Sequence, residues 1–118
     1  MPQIPVIDPE AIANLRALSP DDGDEFLREI LGIFMEDTPR RITELHASRS
    51  SGDIETFTRA AHSIKGSSSN VGASELRAVA EQLENKSRQQ GLNDVEALVA
   101  ELEATFLRAQ AELRKIIA

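Results

Sequence analysis

The sequence predicts an all-α protein: an antiparallel, up-and-down four-helix bundle with a short additional helix at its N-terminus. Three observations predict it. Apolar residues recur at three- and four-residue steps along four long segments, the period of a helix that buries one face. The breaks between these segments are short and rich in Gly, Asp, Asn and Ser, which favours antiparallel neighbours. Aromatic residues are sparse, four Phe with no Trp or Tyr. The core must therefore come from Leu, Ile, Val and Ala, a palette that suits helix-on-helix packing. With 118 residues, 41% of them apolar, the chain supplies one core and no second.

The elements follow in order. Residues 1–7 carry two prolines and are expected to be extended, and residues 8–118 form a single helical domain. Asp8 caps the short first helix with Pro9 at its opening position, and Ile12 and Leu15 lead to Leu18. "SPDDGD" breaks the chain. From about Glu25 a long segment carries Leu27, Ile30, Leu31, Phe34, Ile42 and Leu45. Phe26 and Ile33 lie off this stripe on a shared side. They are expected beneath the N-terminal helix, against Ile12 and Leu15, with a docking patch as the alternative. Pro39, taken alone, would end or kink this helix near Thr38. "SRSSGD" reads as the next loop, with Asp53 as a cap. Ile54, Phe57, Ala61, Ile64 and Ser68 then mark one face of a helix that Gly72 terminates in a left-handed conformation. Leu76, Val79, Ala80 and Leu83 mark the next, which stops before "QQG". The last helix takes Asn93 or Asp94 as cap and presents Val95, Leu98, Leu102, Phe106, Ala109, Leu113 and Ile116.

Composition narrows the function. Twenty acidic against 13 basic residues give a formal charge of −7. Such a field repels phosphate backbones and anionic lipid surfaces, which argues against nucleic acid or membrane as a partner. The absence of cysteine removes disulfides, thiolate catalysis and thiolate metal sites. No apolar run approaches a membrane span, and "MPQIPVIDPE" lacks the basic start and apolar middle of a signal peptide. A soluble, cytoplasmic, monomeric protein is the expectation.

One stretch does not fit a plain bundle. In "AAHSIKGSSSNVG", a helix turning about 100° per residue places His62 roughly 130° from the apolar face. Lys65 projects from the flank between the two, and Arg59 falls on the other side of the histidine. Gly66, one turn above His62, weakens the helix by about 1 kcal/mol relative to alanine, with no packing reason on an exposed face. Serines 67 to 69 could donate hydrogen bonds to an incoming anion. The plain alternative is a solvated histidine among solvated cations, and the glycine speaks against it.

"AHSIKGSSSNVGA" closely resembles the signature of histidine-containing phosphotransfer (HPt) domains: a histidine, a lysine three residues on, a glycine directly after it, then small residues and Gly-Ala. "GDIETFTRAAHSIKG" before the signature and "LRAVAEQLE" after it fit that family's flanking helices. So does the order of four long helices, while about the first twenty residues are poorly covered. The resemblance implies a continuous or kinked helix through Pro39. It also implies that His62 carries a phosphoryl group between aspartates of separate receiver domains, that Lys65 stabilises the phosphoryl charge, and that Gly66 clears space for the receiver. Arg59 joins this set on helical geometry alone. Members of the family often use a Gln or Glu on the next helix to hold the second imidazole nitrogen. Glu84 stands at that position, on the flank of its helix's apolar stripe, with a solvated surface glutamate as the alternative.

The implied partners are a response-regulator receiver domain and a sensor or hybrid histidine kinase. No cofactor is expected on this chain, and Mg2+ belongs to the receiver. No Gly-rich phosphate loop is present, so the chain is expected to be a phosphoryl carrier without ATP-dependent kinase activity of its own, either free-standing or excised from a hybrid kinase. A helical interaction module without chemistry is the competing reading. A metal-dependent hydrolase using His62 and Glu84 has too few ligands for a closed site. His46, in "ELHAS", carries no motif and reads as a surface residue near a helix end.

Overall fold

The computed structural model describes residues 4–117. They form five helices: α1 (Pro9–Ala17), α2 (Glu25–Ser51), α3 (Ile54–Val71), α4 (Ser74–Gln90) and α5 (Glu96–Ile116). No strand occurs among the described residues. Helix α3 packs between α2 and α4, α5 closes the bundle against α4 and α2, and α1 lies across α2 and α3. Side-chain pairs fix the directions. Thr58 meets Ser87 and His62 meets Glu84 across α3 and α4, while Arg49 meets Glu96 and His46 meets Glu103 across α2 and α5. In both pairs one helix rises as the other descends, so the bundle is antiparallel as expected.

The core is aliphatic, with Leu27, Leu31, Leu45, Ile64, Leu83 and Leu102 all sealed from solvent. Phe57 is also fully enclosed, and Phe34 meets Phe106 with ring centroids 6.0 Å apart. These residues come from the predicted stripes, but several stripe residues sit at the margin. Ile30, Ile42, Leu98 and Ile116 are half-buried, and Val99 takes a buried place instead. Ile54, expected in the core, is 46% exposed: at the first position of α3 it lines an open surface cleft instead. Ile33, expected beneath α1, is 55% exposed and belongs to a cleft between α2 and α3.

Helix ends follow local chemistry. Asp8 accepts from the Glu10 N–H, and Asp53 accepts from both the N–H and the hydroxyl of Thr56, so both expected caps form. The expected cap at Asn93 or Asp94 does not. The chain turns through Asp94 in the left-handed region (φ 58°) to bury Val95, and α5 begins without a side-chain cap. The "SRSSGD" loop is also shorter than expected: α2 runs on to Ser51, with buried Ser48 donating to the Glu44 carbonyl, and only Gly52 and Asp53 connect it to α3.

Pro39 does not break α2. It is exposed, and the carbonyl that its missing N–H leaves unpaired, that of Met35, lies on the same side of the helix. The Thr38 and Thr43 hydroxyls donate back to the Phe34 and Pro39 carbonyls around it.

Gly72 anchors the N-terminus. Its φ of 75° ends α3, and a Cβ there would stand 2.5 Å from the Ala11 Cβ and 3.2 Å from the Asp8 carbonyl oxygen. The Asp8 N–H donates to the Gly72 carbonyl, and the Pro5 carbonyl accepts from Glu75 N–H in the first turn of α4. Part of the segment expected to be extended thus caps another helix; of the seven residues in that expectation, 1–3 lie outside the described residues. No helix among the described residues is long and apolar enough to cross a membrane.

Candidate phosphotransfer site

Helix α3 turns its apolar face to the core and leaves His62 outward, with a side chain 62% exposed. One helix over, Glu84 is buried, its side chain only 2% exposed, on the inner flank of α4. The two meet: His62 Nδ1 lies 2.8 Å from Glu84 Oε2. The solvated-glutamate alternative is therefore excluded by position. Lys65 Nζ lies 2.8 Å from Oε1 as an ion pair without hydrogen-bond alignment, and Arg88 donates to Oε2 at 2.9 Å.

A buried carboxylate needs this company. Burial alone would push the Glu84 carboxyl up, but the contacts and charges of Lys65 and His62 hold it below the usual glutamate range. It is therefore ionised and can only accept hydrogen bonds. The ring nitrogen facing it must then be the donor, so the neutral imidazole carries its proton on Nδ1. Nε2 is left with a free lone pair on the exposed side, where it has no hydrogen bond to any described residue.

Gly66, one turn along α3 from His62, is exposed, and apart from its chain neighbours and its own helix backbone a Cβ there would meet no atom within 4 Å. The fold has no steric need for glycine at this position. Arg59 lines an open cleft with His62, Ile54, Thr58, Glu55 and Arg88. Its guanidinium is turned to Glu55 at 2.9 Å, and both side chains are well exposed. Of the three serines, Ser68 is sealed in the core with an unpartnered hydroxyl and Ser67 donates to the Ile64 carbonyl, so neither hydroxyl is free for an incoming anion. Arg88 was not among the expected site residues. Its signal in the sequence is the spacing from Glu84, four residues on the same helix face.

Comparison with known proteins converges on one family. A family model described as the Hpt domain matches residues 29–112. The chain belongs to the Hpt domain family. Among Hpt structures, histidine-containing phosphotransfer protein B from Pseudomonas aeruginosa PAO1 is similar to it at 30% identity and a TM-score of 0.86, over 96% of this chain and 95% of that one. Histidine-containing phosphotransfer protein ZmHP2 from maize shares the fold at 24% identity and a TM-score of 0.76, over 96% and 88% of the two chains. Multistep phosphorelay regulator 1 of Schizosaccharomyces pombe is 28% identical over 80 residues, 68% of this chain and 27% of that relative. The chain thus spans about a quarter of the length of that curated relative. Hpt domains are phosphoryl carriers rather than kinases. Among the described residues of this one, no three His, Asp or Glu side chains are grouped to hold a metal ion.

The second histidine is placed quite differently. His46 is a half-exposed residue as expected, but its Nε2 is engaged by Glu103 Oε1 at 2.6 Å, clipping α2 to α5.

Proposed function

We propose that His62 of this Hpt chain accepts a phosphoryl group on Nε2 and passes it to an aspartate of a receiver domain. The observation that carries this reading is the exposed imidazole whose Nδ1 is committed to a buried carboxylate while Nε2 faces open space. A neutral, reachable nucleophile with a fixed tautomer is what acceptance from an aspartyl phosphate requires. Lys65, 26% exposed and 2.8 Å from Glu84 Oε1, turns toward the phosphoryl oxygens when they arrive in this reading. Arg59 and Arg88 add positive charge along the adjoining cleft.

The partners in this reading are a receiver domain and a sensor or hybrid histidine kinase. The chain takes no phosphoryl group from ATP itself, and Mg2+ sits on the receiver. Gly66 leaves room for the receiver's active-site loops. Docking uses the apolar cleft between α2 and α3, where exposed Ile33 stands with Ile30, Phe34, Asp37, Ser67 and Asn70. In this reading the protein works in the cytoplasm, as a monomer that leaves His62 open.

The test is incubation with a phosphorylated receiver or a small phosphoramidate. An acid-labile, base-stable label that disappears in His62→Gln supports the carrier. A chain that binds the receiver yet never takes up label is a non-catalytic interaction module.

A further inference from the structure

We propose that Glu55 biases the phosphoryl group toward donation by competing for Arg59, so that this ion pair sets where the group rests between His62 and a receiver aspartate. The inference rests on the carrier reading above and goes beyond it, because it gives Glu55 a role and the transfer equilibrium a direction. Arg59 stands three residues before His62, a spacing that makes two side chains neighbours on a helix surface. Both line the open cleft beside α4, and Glu55 lines it with them. The Arg59 guanidinium donates to Glu55 Oε1 at 2.9 Å.

Three cations stand near the ring, and they differ in what each must leave to reach a phosphoryl group. Lys65 and Arg88 both pair with Glu84, whose side chain is 2% exposed. A buried carboxylate stripped of its cations is strongly destabilising. The ion pair of Arg59 is with Glu55, and the two side chains are 67% and 84% exposed. Exposed pairs four residues apart on a helix amount to about a twofold preference. A phosphoryl group carries more charge than a carboxylate, and its oxygens match the guanidinium fork. Arg59 is therefore the cation that changes partner at least cost.

The consequence lies in the equilibrium. Arg59 meets phosphoryl oxygens only while the group is on His62, so that contact favours the phosphorylated carrier. Glu55 holds the same guanidinium when the group is absent, and the strength of its pair subtracts from that gain. Direct repulsion between Glu55 and the phosphoryl group is a smaller effect. The two residues are seven apart on one helix face, about 10 Å along the axis. Exposed charges separated by more than a Debye length, about 8 Å at physiological ionic strength, are largely screened. The exchange itself balances. On donation a receiver carboxylate oxygen attacks phosphorus, the N–P bond breaks, and its electron pair returns to Nε2. On acceptance the Nε2 lone pair attacks phosphorus and the aspartate leaves as a carboxylate. Glu55 is thus a positioning residue that acts through Arg59.

The test labels the chain with a small phosphoramidate, mixes it with a receiver, and measures the equilibrium ratio of phosphorylated chain to phosphorylated receiver. Both proteins are kept below their Kd, so that docking strength does not enter the ratio. Glu55→Gln is expected to shift it about twofold toward His62. Arg59→Gln should shift it about threefold or more toward the receiver, since a charge-assisted contact to the phosphoryl group is lost. In the Arg59→Gln background, Glu55→Gln should have no further effect. A ratio unmoved by Glu55→Gln, or moved toward the receiver, overturns the proposal. So does a Glu55→Gln shift that persists without Arg59, because Glu55 would then act on the phosphoryl group directly. The carrier reading stands in each of those cases. Wild type that takes up no label on His62 overturns both.

Discussion

Gly66→Leu separates what the fold needs from what a partner needs. The position is exposed in the interior of α3, and beyond its chain neighbours and its own helix backbone an added Cβ meets no atom within 4 Å. Its own structure therefore loses nothing, and the helix gains: glycine costs about 1 kcal/mol relative to a good helix former. The variant should be more stable by about 0.5–1 kcal/mol, raising Tm by a few degrees for a domain of this size. Transfer should respond oppositely. In-line attack needs the reacting atoms within about 3–3.5 Å, and a misplacement of about 1 Å can cost a hundredfold in rate. A leucine one turn above His62 holds a receiver off by at least that much, so protein-to-protein transfer should fall about a hundredfold or more. Labelling by a small phosphoramidate, which needs no docking, should continue. Denaturant unfolding and quenched transfer assays read the two quantities. A destabilised Gly66→Leu, or one that transfers at the normal rate, would refute the clearance reasoning.

Other perturbations give equally specific outcomes. Gly72→Ala combines a left-handed backbone with a Cβ 2.5 Å from Ala11, and should lose about 2 kcal/mol or more by denaturant unfolding. Ile33→Asp should change stability by no more than about 0.5 kcal/mol, since the side chain is largely exposed. Its affinity for the receiver should fall about fivefold or more by titration calorimetry, if the α2–α3 cleft is the docking surface. The Glu84 carboxyl is held below its ordinary range in the folded chain. Its contribution to stability is therefore complete above the unfolded-state value and lost as pH falls through the lower folded value. The stability gap between wild type and Glu84→Gln should shrink as pH falls through the acid range in which Glu84 takes up its proton. A gap that grows in acid would contradict this sign.

The helix faces were legible because burial imposes a period that a sequence cannot hide. Leu76, Val79, Ala80 and Leu83 all lie buried as their spacing implies. Period alone does not say whether another helix covers a given apolar residue: Ile54 reads as core, and Ile33 reads as covered by the N-terminal helix or as part of a docking patch, whereas both are exposed. The histidine, lysine and glycine of the site were readable from one segment, since a single helix carries all three. Glu84 was only half readable. Its angle on α4 put it at the flank, and its burial depends on cations from two helices that the wheel of one helix cannot bring together. The His46–Glu103 clip spans 57 residues of sequence and left no local trace. Nor does the contact of Gly72 with Ala11, which needs the fold to exist first.

The chain's two histidines provide an internal control for the central claim. His46 Nε2 is occupied by Glu103, whereas His62 Nε2 is open. The most direct measurement is mass-spectrometric mapping, under alkaline conditions, of the chain phosphorylated by a receiver. A single phosphoryl group on the peptide containing His62, unchanged by His46→Gln and abolished by His62→Gln, is the predicted result. Label on His46, on a serine, or on the chain after His62 is replaced would contradict it.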